Sequence, residues 1–283
     1  MIVLGLLITT YLGLCLLLRL GQTRLIFHPS PIVKSTPADY DLPYEEVWLT
    51  VPNGKIHGWW LPASKAEAPV LLYLHGNGSN NGDTVGHALR FFRLGFSVLL
   101  IDYRGYGYSG FGEKDKTQHN SFPDEAKVYE DAEAAWKYLI QDKAIKPQNL
   151  FIYGHSLGGA IGIEMAFRHP EIAGLIVEGT FTSMKEMADI IGYGRWFPLQ
   201  LLLTQKFDSL KKISHLQVPI LLIHGTEDEV VPTFMSQELY DAVPSAKKLY
   251  LVSGAGHNDV ARVGGESYLK IISHFVGSVS GVQ

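Results

Sequence analysis

Gly154-His155-Ser156-Leu157-Gly158-Gly159 follows the apolar run Leu150 to Tyr153 and precedes a stretch with helical character. Each glycine loses more backbone entropy on folding than an alanine would, so three of them around one serine answer a local requirement. A Gly-x-Ser-x-Gly string between a strand and a helix sets the serine on a strained turn. The glycines two residues away on either side let strand and helix approach without a Cβ clash. The string alone also fits a plain helix start, so its partners elsewhere in the chain decide the reading.

Working outward, short, near-continuous apolar runs recur at Val70 to Leu74, Ser97 to Ile101, Leu150 to Tyr153, Leu175 to Val177, Ile220 to Ile223 and Lys248 to Val252. Such runs belong in a parallel sheet covered on both faces. Ahead of them, Glu46 to Val51 and Lys55 to Leu61 flank Asn53-Gly54, a hairpin signal. Between strands, Ala126, Tyr129, Ala132, Trp136 and Leu139 mark a helix within Pro123 to Leu139. The expected fold class is α/β: an eight-stranded, mostly parallel sheet flanked by helices, with an antiparallel N-terminal hairpin. The stretch of about 181–216 delays the seventh strand and gathers aromatic and leucine residues, which reads as a short helical cap.

The chain has 283 residues, 46% of them hydrophobic, which suits one large domain over residues 25–283. A net charge of -4 without a basic run argues against a nucleic-acid partner. Cys15 is the only cysteine, so no disulfide or cysteine metal site forms within the chain. Met1 to Leu18 carries no charged side chain and is followed by Arg19 and Arg24. As a helix it would reach about 27 Å, close to the ~30 Å hydrocarbon core, so residues 1–24 read as a membrane anchor. The competing readings are a signal peptide, which lacks a basic start and a small-x-small site, and a buried core helix. Leu12 to Cys15 is a poor lipoprotein site because Leu14 stands where a small residue belongs. The two arginines favour a cytoplasmic body.

In parallel sheets, ligands bind beyond the carboxyl ends of the strands. There the sequence places Asn77 after the third strand, Ser156 after the fifth, Asp228 after the seventh and His257 after the eighth. A serine, an acid and a histidine in that chain order make a nucleophile, a tautomer-holding carboxylate and a general base. The N–H groups of Asn77 and Leu157 are the expected oxyanion donors, each worth about 2.7 to 4 kcal/mol in the transition state. Because that donor is main-chain, replacing the Asn77 side chain is expected to matter little. Glu178, after the sixth strand, is the alternative acid; Asp228 is favoured by its loop, between Glu227 and Glu229.

Other motifs yield less. Gly105 to Gly110 matches G-x-G-x-x-G, but Phe111 to Asp115 do not open an apolar helix, so the segment reads as a turn under the site. Asn77-Gly78-Ser79 is a glycosylation sequon placed on the oxyanion loop, and reads as coincidence. None of the eleven histidines has metal-ligand spacing; His75 and His224 read as strand-end hydrogen-bonding groups and His155 as packing beside the elbow. No metal or cofactor is expected.

Seven stretches together resemble one family: LIFHPSP (25–31), YLHGNGSN (73–80), IDYRGYGYSG (101–110), GHSLGG (154–159), EGTFTS (178–183), HGTEDEVVP (224–232) and GAGHND (254–259). The chain resembles the α/β hydrolases over nearly its whole length, and within them the membrane-anchored bud-emergence-type branch near the prolyl-oligopeptidase-type peptidases. The resemblance implies a serine hydrolase with Ser156, Asp228 and His257 as triad. Animal relatives include thioesterases that remove fatty acyl groups from proteins, which points to acylated substrates. Gly78 stands where many relatives carry alanine. If the cap reading holds, Phe181, Met184, Trp196, Phe197 and Leu199 would line an acyl pocket. Peptide hydrolysis and a non-catalytic membrane scaffold are the alternatives; oligomeric state is not readable.

Overall fold

A computed structural model describes residues 2–52, 54–65, 67–109 and 122–280. Asn53 of the hairpin turn and residues 110–115 of the glycine-rich segment therefore lie outside the described residues. In chain order the elements are α1 (Ile2–Ile26), β1 (Glu45–Val51), β2 (Gly54–Leu61), β3 (Val70–Leu74), α2 (Asn81–Arg93), β4 (Ser97–Ile101), α3 (Glu125–Lys137), β5 (Leu150–His155) and α4 (Leu157–Arg168). They continue with β6 (Gly174–Glu178), α5 (Met184–Ile190), α6 (Leu199–Leu202), α7 (Ser209–Ile213), β7 (Ile220–Gly225), α8 (Phe234–Ala242), β8 (Lys247–Val252) and α9 (Val260–Ser280).

The eight strands form one sheet in the order β1-β2-β4-β3-β5-β6-β7-β8. β1 pairs with β2, and β2 with β4, antiparallel; every other pair is parallel. The all-apolar runs divide by alternate residues between two cores. Leu72, Leu99, Ile152, Leu175 and Leu222 face α3, α4, α7 and α8, while Leu71, Leu100, Phe151, Ile176 and Leu221 face α2 and α9. Period-two alternation with both faces covered is the physical reason these strands show no polar side.

The glycines of the opening motif are required by contact. A Cβ on Gly158 would stand 2.1 Å from the Leu74 carbonyl oxygen, and one on Gly154 would stand 2.2 Å from that of Gly158. Helix α4 therefore begins in backbone contact with the ends of β3 and β5. Between the two glycines Ser156 adopts φ 53°, in the region that non-glycine residues rarely enter.

Helix α1 continues past the expected boundary to Ile26, 25 residues with a best-window mean hydropathy of 2.1, long and apolar enough to cross a membrane. Only Cys15 and Gln22 are buried on it, so it is not a core helix. Between β6 and β7 the chain forms α5, a single 3-10 turn and α6 over the carboxyl end of the sheet, then α7, which packs on α4.

Gly158→Ala should lower stability by about 3 kcal/mol or more, since the colliding atom is a strand carbonyl that cannot rotate away. Urea unfolding followed by circular dichroism measures this; an unchanged midpoint would mean that α4 can shift off β3.

Candidate active site

Ser156 occupies the N-cap position of α4, yet its side chain does not cap the helix. A serine at that position ordinarily accepts from the first-turn amides. Here the hydroxyl is left facing a cavity, and the helix-start reading of the motif loses its basis. The residue is held by its backbone: its N–H donates to the Glu178 carbonyl at 2.8 Å, and its own carbonyl accepts from the Thr180 hydroxyl at 2.9 Å.

His257 Nδ1 lies 2.7 Å from Asp228 Oδ2. The other carboxylate oxygen accepts from the N–H groups of Val230 and Val231, both at 2.8 Å, and His224 Nε2 approaches Oδ2 at 3.1 Å. Burial alone would raise the Asp228 pKa, but the hydrogen bonds from His224, His257 and Val231 outweigh it and hold the carboxyl far below its usual range. Glu178 goes the other way. It is fully enclosed, accepts from Tyr268 Oη at 2.6 Å, and burial raises it from 4.5 to about 7 against the pull of Tyr268, Tyr153 and His257. The carboxylate that is bonded to His257 is thus the one that stays ionised.

The loop bearing His257 is tied back to the elbow, because His155 Nε2 bonds the His257 carbonyl at 3.0 Å. Burial lowers the His155 pKa to about 4, with the neighbouring His257 charge acting in the same direction, so the ring beside His257 stays neutral. His75 and His224 bond at strand ends as expected, to the Gly76 carbonyl and to Ser236 and Val231.

Leu157 is the first residue of α4, so its N–H has no acceptor within the helix. Leu157 and Asn77 both border the cavity that Ser156 and His257 face. Gly78 has φ 74°, a conformation that strains alanine, which gives the departure at this position a local cause. The Asn77 side chain is not the bystander expected from sequence. Its amide nitrogen donates to the Ile26 carbonyl at 2.6 Å, and its oxygen accepts from His28 N–H at 2.9 Å and from Tyr106 Oη at 2.8 Å. The glycine-rich turn after β4 does support the site floor, through that Tyr106 bond and through Tyr103 Oη on the His75 carbonyl at 3.1 Å.

The cavity measures about 770 Å³ and its walls are largely apolar. Phe181, Met184 and Leu199 line it as expected, together with Met187, Ile191 and Tyr193 of the cap. Trp196 and Phe197 do not. Trp196 is 74% exposed, its carbonyl accepts from Tyr11 Oη at 3.0 Å, and Phe197 stacks on the Tyr11 ring. Both were drawn outward by α1, which instead supplies Leu18, Gln22, Leu25 and Ile26 to the wall. Buried Gln22 fixes the arrangement: its oxygen accepts from the N–H groups of Thr204 and Gln205, and its nitrogen donates to the Leu202 carbonyl. The missed wall had a signal, since Tyr11, Cys15, Leu18, Gln22 and Leu25 fall at spacings of four and three along one helix face. Among the described residues there is no cluster that could hold a metal ion.

A family model described as Hydrolase_4, serine aminopeptidase S33, matches residues 65–210 and 199–260. The chain belongs to the α/β hydrolases. This hydrolase is 31% identical over 270 residues to an uncharacterized protein of Mycobacterium tuberculosis, covering 93% of this chain and 90% of that one. It is 30% identical to the protein bem46 of Schizosaccharomyces pombe, covering 85% and 79% of the two chains. The esterase Pf2001 of Pyrococcus furiosus has the same fold, with a TM-score of 0.70 at 23% identity over 89% of this chain and 99% of that one.

Asp228→Asn should reduce ester turnover about 10⁴-fold, whereas Glu178→Gln should cost less than about tenfold; the opposite ranking in steady-state assays would move the acid to β6. Glu178 also predicts a pH effect. Its folded pKa lies above its ordinary value, so the folded state keeps a proton that the unfolded chain releases, and the contribution of this group to stability falls as pH rises from 4.5 to about 7. Glu178→Gln should remove on the order of 3 kcal/mol of that decline in unfolding measured across the window. Asp102 and Asp131, which burial also raises, act in the same direction, while His57, His75, His87 and His155, which burial lowers, act in the opposite one. Asn77→Ala, which keeps the main-chain donor but frees its loop, should lower kcat/KM about ten- to a hundredfold; unchanged kinetics would show the loop held without it.

Proposed function

We propose that this α/β hydrolase is a membrane-anchored serine hydrolase that cleaves carboxylic ester or thioester bonds of acylated substrates through an acyl-enzyme. One observation carries the reading: a serine on a strained turn, its hydroxyl unused by its own helix, shares an apolar cavity with a histidine 2.7 Å from an ionised carboxylate.

Ser156 Oγ attacks the acyl carbonyl carbon while His257 takes its proton, and Asp228 holds the ring tautomer and offsets the imidazolium charge. The N–H groups of Asn77 and Leu157 receive the oxyanion. Collapse expels the alcohol or thiol with the proton from His257, and water repeats the sequence on the acyl-enzyme. No step calls on a metal or cofactor. The apolar cap supports an acyl chain as the group bound, and the esterase activity named for the Pyrococcus furiosus protein agrees with it. The length and hydropathy of α1 support the anchor, with Arg19 and Arg24 favouring a cytoplasmic body.

The family model's name raises aminopeptidase activity as the second reading. That chemistry needs an anionic or carbonyl anchor for the substrate's ammonium group. Among the described residues around the cavity the one carboxylate is Asp83, already paired with Lys34 at 2.9 Å, which favours the acyl reading. A non-catalytic scaffold would leave the φ 53° serine without a reason, because strain at that position persists only where the surrounding structure imposes it.

A fluorophosphonate probe applied to wild type and Ser156→Ala, in membrane and soluble fractions, tests the reading. Wild type should label in the membrane fraction and Ser156→Ala should not. Labelling of Ser156→Ala would remove the nucleophile assignment, and a folded wild type that fails to label would remove the hydrolase reading altogether.

A further inference from the structure

Tyr11 and Arg19 of α1 each hold the cap. Tyr11 Oη donates to the Trp196 carbonyl at 3.0 Å, and Arg19 Nη1 donates to the Leu201 carbonyl at 2.9 Å. The cap segment from Trp196 to Leu201 therefore lies alongside α1 from Tyr11 to Arg19, about 12 Å of helix at ~1.5 Å per residue. All of that span but Arg19 belongs to the uncharged run that ends at Leu18. Cap and apolar helix thus share a level.

The cap's outer side is apolar where it runs beside α1. Trp196 and Leu201 are each 74% exposed, and Ile191, which borders the cavity at its rim, is 69% exposed. From Ile190 to Thr204 the only charged residue is Arg195, whose long stem can carry its head back to the surface. Arg19 and Gln22 have already spent donors on cap carbonyls, which is how polar groups are accommodated next to hydrocarbon. Three exposed large apolar residues on a lid would be a liability in water, yet they continue the exposed apolar surface of α1.

We propose that the cap is a second membrane-inserting surface: Ile191, Trp196 and Leu201 enter the bilayer beside α1, and the cavity opens to lipid between the cap and α1. The inference rests on the anchor reading of α1. Its occupant is the acyl region of the bilayer, and its consequence is the direction of entry. Because α1 residues Leu18 and Leu25 form the cavity wall facing the cap, an acyl chain slides in from the membrane with its carbonyl trailing toward Ser156, and does not cross water.

The full chain reconstituted in phosphatidylcholine vesicles, with and without lipids brominated on the upper acyl chain, provides the test. Quenching of tryptophan emission should be strong in wild type and largely lost in Trp196→Phe. The double variant Trp196→Glu/Leu201→Glu, at two residues outside the cavity, should lower turnover of a long-chain ester embedded in the vesicles at least tenfold. It should leave a water-soluble short-chain ester within twofold of wild type. Protein that floats with the vesicles but shows no Trp196-dependent quenching overturns the inserted cap while leaving the anchor standing. Protein that does not float overturns both. Equal loss on the two esters also overturns the proposal, since it would place these residues in the catalytic apparatus and not at a lipid port.

Discussion

The contact between the Leu74 carbonyl and the bare Cα of Gly158 sets the geometry on which the site depends. It brings the first turn of α4 against the ends of two adjacent strands, β3 and β5. Leu157 N–H, at the helix start, and the loop carrying Asn77 then border one cavity because of strand adjacency. A side chain at Gly158 would push α4 outward and separate the two candidate oxyanion donors, which must meet a single oxygen. Asp228 and His257, the proposed acid and base, follow β7 and β8, on the far side of β6. They return across that strand by the Asp228–His257 bond and the His155 bond to the His257 carbonyl.

Three buried titratable groups around His257 are biased in ways that agree with one another. Asp228 is kept ionised by two backbone N–H groups and two imidazoles. His155 is kept neutral by burial, so it adds no charge beside the His257 ring. Glu178 is pushed toward protonation, which spares the site a second negative charge under the elbow. Similar carboxyl groups one strand apart thus differ because one meets donors and the other meets an apolar enclosure with tyrosine hydroxyls.

The same contrast explains what could be read from residues alone. GHSLGG and the near-continuous apolar strands are local patterns whose physical cause lies within a few residues, and the sheet follows from them; the candidate positions Ser156, Asp228 and His257 follow from where its strands end. The cap was legible as an apolar insertion, but its neighbour was not. Trp196 and Phe197 are the bulkiest aromatic pair in it and were assigned inward; they turn outward because Tyr11, some 185 positions away in sequence, takes the Trp196 carbonyl and the Phe197 ring. Hydrophobic pattern says that a side chain prefers apolar surroundings, and an exposed apolar helix supplies those as well as a cavity does. The role of the Asn77 side chain was hidden for a related reason, since its partners Ile26 and His28 stand about fifty residues earlier.

Those long-range bonds change what kind of object the N-terminal helix is. Its last carbonyls would be unsatisfied at a helix end, and Asn77 caps the one from Ile26 while its oxygen is held by His28 and Tyr106. Four residues earlier, Gln22 holds the chain leaving the cap. Glu125, at the start of α3, holds the same exit by accepting from the Lys206 and Phe207 amides. The cap exit is thus fixed between α1 and the body, and the loop carrying Asn77 is fixed to α1. A generic tether would leave both free to move relative to Ser156. Because catalytic groups need sub-ångström placement to act together, the residues from Leu18 to His28 belong to the candidate site as much as to helix α1 and its exit, and a displacement of α1 would be felt at the cap and the Asn77 loop together.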